Sequence, residues 1–205
     1  RIMQTSTFIK EYPALSKTIC KSLVSVFDKN AEKYAQDGKI LKADGKSVVN
    51  SWLKRCKEFE LANFEKDDLL KHNTLDDSLT KSLSHYFWKY AEDHPYTLKK
   101  VVSQNKIKIT KYKLRKYDIG DFFNWHIDQL GMSQVTRVLA CVVYLNDVEE
   151  GGETIIQISG EDQEYTCKPE VGKLLIFPAH WIFRHKSNTV VSEPKYVVTC
   201  FINIY

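Results

Sequence analysis

Residues 136–158, TRVLACVVYLNDVEEGGETIIQI, hold two apolar runs rich in β-branched side chains, separated by a polar stretch that ends in Gly151–Gly152. Short runs of this kind, bounded by turn residues, read as strands. The paired glycines between them supply the positive φ that a tight strand-to-strand turn needs. The same texture continues to either side: KIKITKYKLRKY, DFFNWHI, EYTCK, KLLIFP and KYVVTCFINIY repeat it from Lys106 onward, giving seven or more strands. That spacing predicts a β-sandwich, barrel or jelly roll rather than βαβ units. In the first of these runs Ile107 and Ile109 are odd-numbered while Tyr112 and Leu114 are even, which predicts a bulge near Thr110–Lys111. The basic side chains of residues 106–116 read as charge on an exposed sheet edge, where lysine discourages unwanted pairing.

Upstream, from Ala14 to about Leu98, apolar residues keep helical spacing. One stripe is Leu15, Ile19, Leu23, Val26 and Phe27, with Ser16 as N-cap and Gly38 ending the segment. A second is Val49, Trp52, Leu53, Cys56 and Phe59; a third, behind an Asp76–Asp77–Ser78 start signal, is Leu79, Leu83, Phe87 and Tyr90. Three amphipathic helices are expected, joined by polar loops at 36–47 and 65–76 that are long enough to act as lids. The expected architecture is α+β and mainly β: a single domain over 1–205, with a helical support region over about 1–104 and a β core over about 105–205.

Of 205 residues, 43% are hydrophobic and 27% charged, which is ample for a core and unlike a disordered or fibrous chain. A formal charge of +4 is too small a bias to argue for a polyanionic partner, so nucleic acid is not expected. No apolar run approaches the roughly 18 residues of a membrane span, and RIMQTSTFIKEYP has no signal-peptide core. The chain starts at Arg1, which leaves a removed leader open. Five cysteines, an odd number without a C-x-x-C pair, argue against a disulfide framework and a Cys-based zinc site. A reducing, cytoplasmic compartment is the expectation, with Cys141 and Cys200 as core residues.

Among the histidines, His72, His85 and His94 have no partner pattern. His126 and Asp128 are two apart within FFNWHID, and residues i and i+2 of a strand share a face, so both can hold one ion. A second histidine from a distant strand would complete two nitrogens and one carboxylate, the facial set that suits oxygen-activating Fe(II). His180 and His185 are the candidates, and composition does not choose between them. Lys195 follows His185 by ten residues at the head of the last strand, so a ligand and a carboxylate-pairing ammonium can share one cavity; this favours His185. His180 and the adjacent Trp181 then fall at its mouth.

The ordered set Tyr117-Asp-Ile-Gly120, Phe123, His126-Ile-Asp128, Tyr144-Leu-Asn-Asp-Val-Glu-Glu-Gly-Gly-Glu-Thr154, Gly172-Lys-Leu-Leu-Ile-Phe-Pro178, His185 and Lys195-Tyr196 resembles the prolyl 4-hydroxylase branch of the Fe(II)- and 2-oxoglutarate-dependent dioxygenases. The resemblance covers about residues 105–205. It implies a double-stranded β-helix, or jelly roll, buttressed by the N-terminal helices, within one catalytic domain. It also implies His126, Asp128 and His185 as iron ligands, Lys195 and Tyr144 on the far carboxylate of 2-oxoglutarate, and Tyr117 near its C1 end. The implied reaction hydroxylates an aliphatic carbon, with prolyl 4-hydroxylation of a peptide or protein foremost, and releases succinate and CO2; ascorbate is an implied stimulant. Phe201 departs from the pattern, since many relatives carry tryptophan on this strand.

Arg137 and Trp181 are candidate substrate contacts, whereas Trp125, next to His126 on an alternating strand, is expected to face away. Hydroxylation of a free amino acid would need a fixed carboxylate partner, for which Arg137 is the candidate. Nucleic-acid demethylation fits poorly, because relatives of that kind carry two arginines six apart where this chain has Lys195 and Phe201. A non-catalytic jelly-roll binding module would have no use for an intact ligand set, and a zinc hydrolase would leave Lys195 unexplained.

Overall fold

A computed structural model describes residues 8–42, 44–63, 69–131, 134–160, 162 and 164–205, excepting the side chains of 63 and 69–73. In the first half β1 (Lys10–Pro13) precedes α1 (Lys17–Tyr34), followed by the short strands β2 (Gln36–Asp37), β3 (Lys39–Leu41), β4 (Ser47–Val49), β5 (Lys54–Arg55) and β6 (Lys57–Glu60). Two further helices, α2 (Leu69–Glu92) and α3 (Leu98–Val102), lead into the second half. There the strands are β7 (Ile107–Ile109), β8 (Lys113–Tyr117), β9 (Phe122–His126), β10 (Arg137–Tyr144) and β11 (Thr154–Ile158). They continue with β12 (Glu164–Cys167), β13 (Lys173–Pro178), β14 (Phe183–Ser187) and β15 (Lys195–Ile204).

Apart from the separate hairpin pair β3–β4, the strands form two facing antiparallel sheets, as a jelly roll requires. The larger runs β1-β13-β10-β15-β8-β6-β2, with β7 also on β15; the smaller runs β12-β11-β14-β9-β5. Against the outer face of the larger sheet lie α1 and α2. Their inward residues, Cys20, Leu23, Val26 and Phe27 from one and Leu75, Leu79, Leu83, Phe87 and Tyr90 from the other, pack on Leu114, Cys141, Val143, Val198 and Ile202. The alternation along β8 divides its side chains between this helical layer and the space between the sheets. Tyr112 and Leu114 go to the helices, while Lys111, Lys113, Arg115 and Tyr117 line the interior.

The bulge lies where the phase shift places it. Ile109 pairs with Ile202 and Lys113 with Thr199, so four steps on one strand face three on the other. Thr110 occupies the irregularity, its Oγ1 accepting from the Phe201 N–H at 2.9 Å.

Several expectations are corrected. The second apolar stripe is not a helix: Val49 and Trp52 are exposed, and Cys56 and Phe59 belong to the region of β5 and β6. Asn50 Oδ1 accepts from the N–H groups of Trp52 and Leu53, a side-chain turn that competes with helix formation. The first helix begins on Ser16 as expected, with Oγ accepting from Ile19 N, but ends at Tyr34 rather than at Gly38. The start signal at Asp76–Ser78 lies inside α2, where Ser78 Oγ donates to Thr74 O one turn back, and Leu75 extends the buried stripe. Of the polar loop at 65–76, residues 65–68 lie outside the described residues and the remainder is helical; the His72 side chain is also outside them. The region read as helical support contributes β1, β2, β5 and β6 to the two sheets. Finally, only part of the basic run of 106–116 is an edge: β7, with Lys108, pairs with β15 alone among the described residues, whereas β8 sits between β15 and β6.

Candidate active site

His126 ends β9, and His185 is its register partner on the adjacent β14, so the two imidazoles project from one face of the smaller sheet. Their ring centroids are 4.1 Å apart. Asp128 follows just beyond the strand end, with Oδ2 3.3 Å from His185 Nε2 and Oδ1 3.9 Å from His126 Nε2. Nitrogen and oxygen atoms of the three side chains all lie within 4.8 Å of one another. His126 Nδ1 lies 2.8 Å from Asn124 O and His185 Nδ1 3.2 Å from Phe183 O, so each ring donates there and turns the Nε2 lone pair toward Asp128. Burial drives the His126 pKa well below the ordinary imidazole value, and His185 beside it adds to the effect, which keeps the ring neutral and free to ligate. Two imidazoles and one carboxylate on one face fit a divalent iron ion.

The loop carrying Asp128 is braced from behind. Arg137 Nη1 donates to Asp128 O at 3.0 Å, while its guanidinium lies 4.1 Å over the Phe201 ring. Phe123 stacks on His126 with ring centroids 3.5 Å apart, which helps fix the imidazole.

These groups open on a cavity of about 500 Å³ between the sheets, which Arg137, Tyr117 and Lys195 also line. Lys195, 2% exposed, is the register partner of Tyr117, and its ammonium sits 4.6 Å over that ring. Nζ donates to Gly152 O at 2.7 Å and to Ser187 Oγ. Burial pulls its pKa down to about 7. A cation held this deep against neutral oxygens is set for an incoming anion.

Gly152 has a part here beyond turning the chain. At φ 70° a Cβ on it would come 3.2 Å from Lys195 Cδ, so the missing side chain leaves the lysine its channel.

Tyr144 is fully buried behind this end of the cavity, with its hydroxyl 2.6 Å from Thr154 Oγ1, and Thr154 lines the wall in its place. Thr154 and Ser187, register partners on β11 and β14, were not among the residues the sequence singled out. Ser187 could have been found, because it lies two after His185 on a strand and shares its face. His180 is exposed in a bend and is not among the clustered ligands. Trp181 is 61% exposed and does not line the cavity. Trp125 faces outward beneath Arg184 and Lys186.

The sequence of residues 107–203 matches the 2OG-Fe(II) oxygenase superfamily. No curated protein matches the chain by sequence. Among solved structures, a prolyl hydroxylase from Trichoplax adhaerens in complex with a hypoxia inducible factor peptide fragment superposes with a TM-score of 0.71 at 16% identity, over 97% of this chain and 84% of that one. A prolyl-4-hydroxylase from Pseudomonas putida gives 0.66 at 12% identity, over 96% and 92%. The viral collagen prolyl hydroxylase of Paramecium Bursaria Chlorella virus-1, in its 2OG complex, gives 0.66 at 15% identity, over 97% of both chains. The matched segment carries His126, Asp128, His185 and Lys195 within a jelly roll, so residues 107–203 are a 2OG-Fe(II) oxygenase region, prolyl 4-hydroxylase-like in fold, whose cofactors are Fe(II) and 2-oxoglutarate.

Proposed function

We propose that this protein hydroxylates an aliphatic ring carbon of a prolyl residue in a peptide or protein segment. The observation that carries the proposal is the sharing of one cavity by the His126–Asp128–His185 cluster and the buried ammonium of Lys195. Fe(II) and 2-oxoglutarate supply, when bound, the oxidising chemistry that places one atom of dioxygen on carbon and releases succinate and CO2. The chain's part is position and exclusion of water. His126, Asp128 and His185 hold the metal. Lys195, with Ser187 and Thr154 beside it, receives the far carboxylate through a charge-assisted hydrogen bond. Tyr117 walls the same end, and Tyr144 fixes the Thr154 hydroxyl. Arg137 holds the backbone of Asp128 and so orients a ligand.

Likeness to structures of prolyl hydroxylases, two of them holding a peptide fragment or 2OG, supports the peptidyl reading. Engagement of Arg137 with Asp128 O and Phe201 also weighs against its serving as the fixed partner of a free amino acid carboxylate. The test is anaerobic loading with Fe(II) and 2-oxoglutarate, then oxygen, with proline-containing peptides or free amino acids and mass spectrometry of the products. Gain of one oxygen atom on peptidyl proline, matched by succinate, is expected. Oxidation of free amino acids alone would overturn the peptidyl assignment.

A further inference from the structure

The basic run on β8 has no part in holding the cofactors, and it does not shield an edge. Lys111, Lys113 and Arg115 alternate along one face and turn into the cavity, where Lys39, Lys54 and Arg137 join them. Lys186 also borders the cavity, its ammonium placed over Trp125. Against these seven stand two carboxylates, Glu58 and Glu60. Glu58 takes Lys54 at 2.6 Å, Arg115 at 2.8 Å and Lys113 at 3.6 Å; Glu60 takes Lys111 at 3.1 Å. One acid shared by three cations leaves a standing positive excess, and part of it is buried, since the Lys54 side chain is 1% exposed.

The cofactors do not neutralise that excess. The charges of Fe(II) and Lys195 together offset Asp128 and both carboxylates of 2-oxoglutarate, so the loaded centre is neutral and the wall remains positive. Lys111, Lys113 and Lys39 are solvent-exposed where they border the cavity, and charge of one sign gathered there selects ligands of the other sign and raises their rate of capture.

We propose that the substrate is an acidic polypeptide segment, with aspartate or glutamate flanking the reacting residue and paired to Lys111, Lys113 and Lys39. This rests on the peptidyl hydroxylase reading above and adds the substrate's charge. An extended peptide suits the spacing. From Lys111 to Arg115 the wall spans up to about 13 Å at strand rise, which alternate side chains of an extended chain can follow and one small acid cannot. Nucleic acid suits it less, because every aromatic ring on the wall already has a partner. Tyr117 is covered on one face by Lys195, Phe123 by His126 and Phe201 by Arg137, and Phe177 abuts His185, so a base would have to compete with these partners to stack.

The test uses the enzyme loaded anaerobically with Fe(II) and 2-oxoglutarate, and fluorescence anisotropy of labelled probes. These are a proline-centred peptide flanked by Asp and Glu, the same peptide with Asn and Gln, the same with Lys, the acidic peptide with Ala for Pro, and a single-stranded oligonucleotide of equal charge. At about 50 mM salt the acidic peptide should bind roughly tenfold tighter than the neutral one, and the advantage should shrink as salt screens it. The Lys111→Gln/Lys113→Gln variant should lose the advantage. A Lys108→Gln/Lys116→Gln variant, which removes the same charge away from the cavity, should keep it, with melting temperature controlling for folding. Equal binding of acidic and neutral peptides, preference for the basic one, or tighter binding of the oligonucleotide would each overturn the inference. The two readings fail separately. Preferential binding of acidic peptides without oxygen gain on proline leaves the charge inference standing and removes the prolyl one; equal binding and hydroxylation of the neutral peptide does the reverse.

Discussion

His126 and His185 face one another in register across β9 and β14, each ring anchored through Nδ1 to the carbonyl two residues before it. The pair is therefore oriented by the strands themselves, before any metal arrives. Because three ligands suffice and each is fixed separately, His126→Ala, Asp128→Ala or His185→Ala should abolish Fe(II) binding, read by calorimetry, and with it 2-oxoglutarate turnover. The far-ultraviolet dichroism should stay near that of the parent. His180→Ala, an exposed change, should stay within about twofold of the parent in both readouts. Retained iron binding in His185→Ala with its loss in His180→Ala would show the distal ligand to be misassigned.

The clustering of His126, Asp128 and His185 was legible because residues two apart on extended chain share a face, and Lys195 pointed to the second histidine. The missed wall residues have a common cause. Ser187 and Thr154 are small polar residues whose role depends on pairing between β11 and β14, and FRHKS has no alternating apolar signal to announce a strand. The stripe from Val49 to Phe59 misled because residues at three- and four-step spacing need not share a helix face when an asparagine turn intervenes. The lysines of β8 misled for another reason. Sequence shows alternation but not whether a strand is central, and this one gained β6 from the half read as helical.

Lys195 should give two pH dependences of opposite sign. Its pKa in the ligand-free protein is about 7, and that of Lys54 about 8, both pulled down chiefly by burial from the free-lysine value of 10.5. The unfolded chain thus binds more protons than the folded one above these values, and ligand-free stability should rise from about pH 7 to 8.5, by on the order of 1 kcal/mol per unit. Over the same window 2-oxoglutarate affinity should fall, because its carboxylate binds the ammonium form and binding must take up a proton. Calorimetry in buffers of differing ionisation enthalpy reads that uptake directly. Lys195→Ala should weaken 2-oxoglutarate by roughly 2–5 kcal/mol and abolish the proton uptake. Affinity independent of pH from 7 to 8.5 would exclude Lys195 as the partner.

The two glycines of the β10–β11 connection should separate stability from cosubstrate binding. A Cβ at Gly151, φ 79°, would fall 2.2 Å from Thr189 O, a backbone atom that cannot yield, so Gly151→Ala should lower the melting temperature sharply. At Gly152 the nearest atom is a lysine methylene at 3.2 Å, which can shift, so Gly152→Ala should cost less stability and more 2-oxoglutarate affinity. The same ordering of both variants in both assays would contradict this division.

Glu58 is the hinge of the basic wall. Its carboxylate takes Lys54, Arg115 and Lys113 and also accepts the Lys39 N–H at 3.3 Å, while Lys54 donates to Lys39 O at 3.2 Å. The β3–β4 hairpin is thereby gripped at its first residue through both backbone groups. Burial alone would raise the Glu58 pKa, but Arg115, Lys54 and Lys113 outweigh it and hold the carboxyl far below the usual range. A depressed carboxyl contributes stability that is present above the unfolded value of about 4.3 and lost as pH falls toward the folded one. Glu58→Gln removes that contribution and leaves three cations facing a neutral amide, a cost of roughly 3–5 kcal/mol at neutral pH. The gap in unfolding free energy between parent and variant should narrow below about pH 4, as the carboxyl of the unfolded parent takes up its proton while the folded one stays ionised. Denaturant unfolding from pH 7 to 3 measures it, and a variant as stable as the parent at pH 7 would show that the hub holds nothing together.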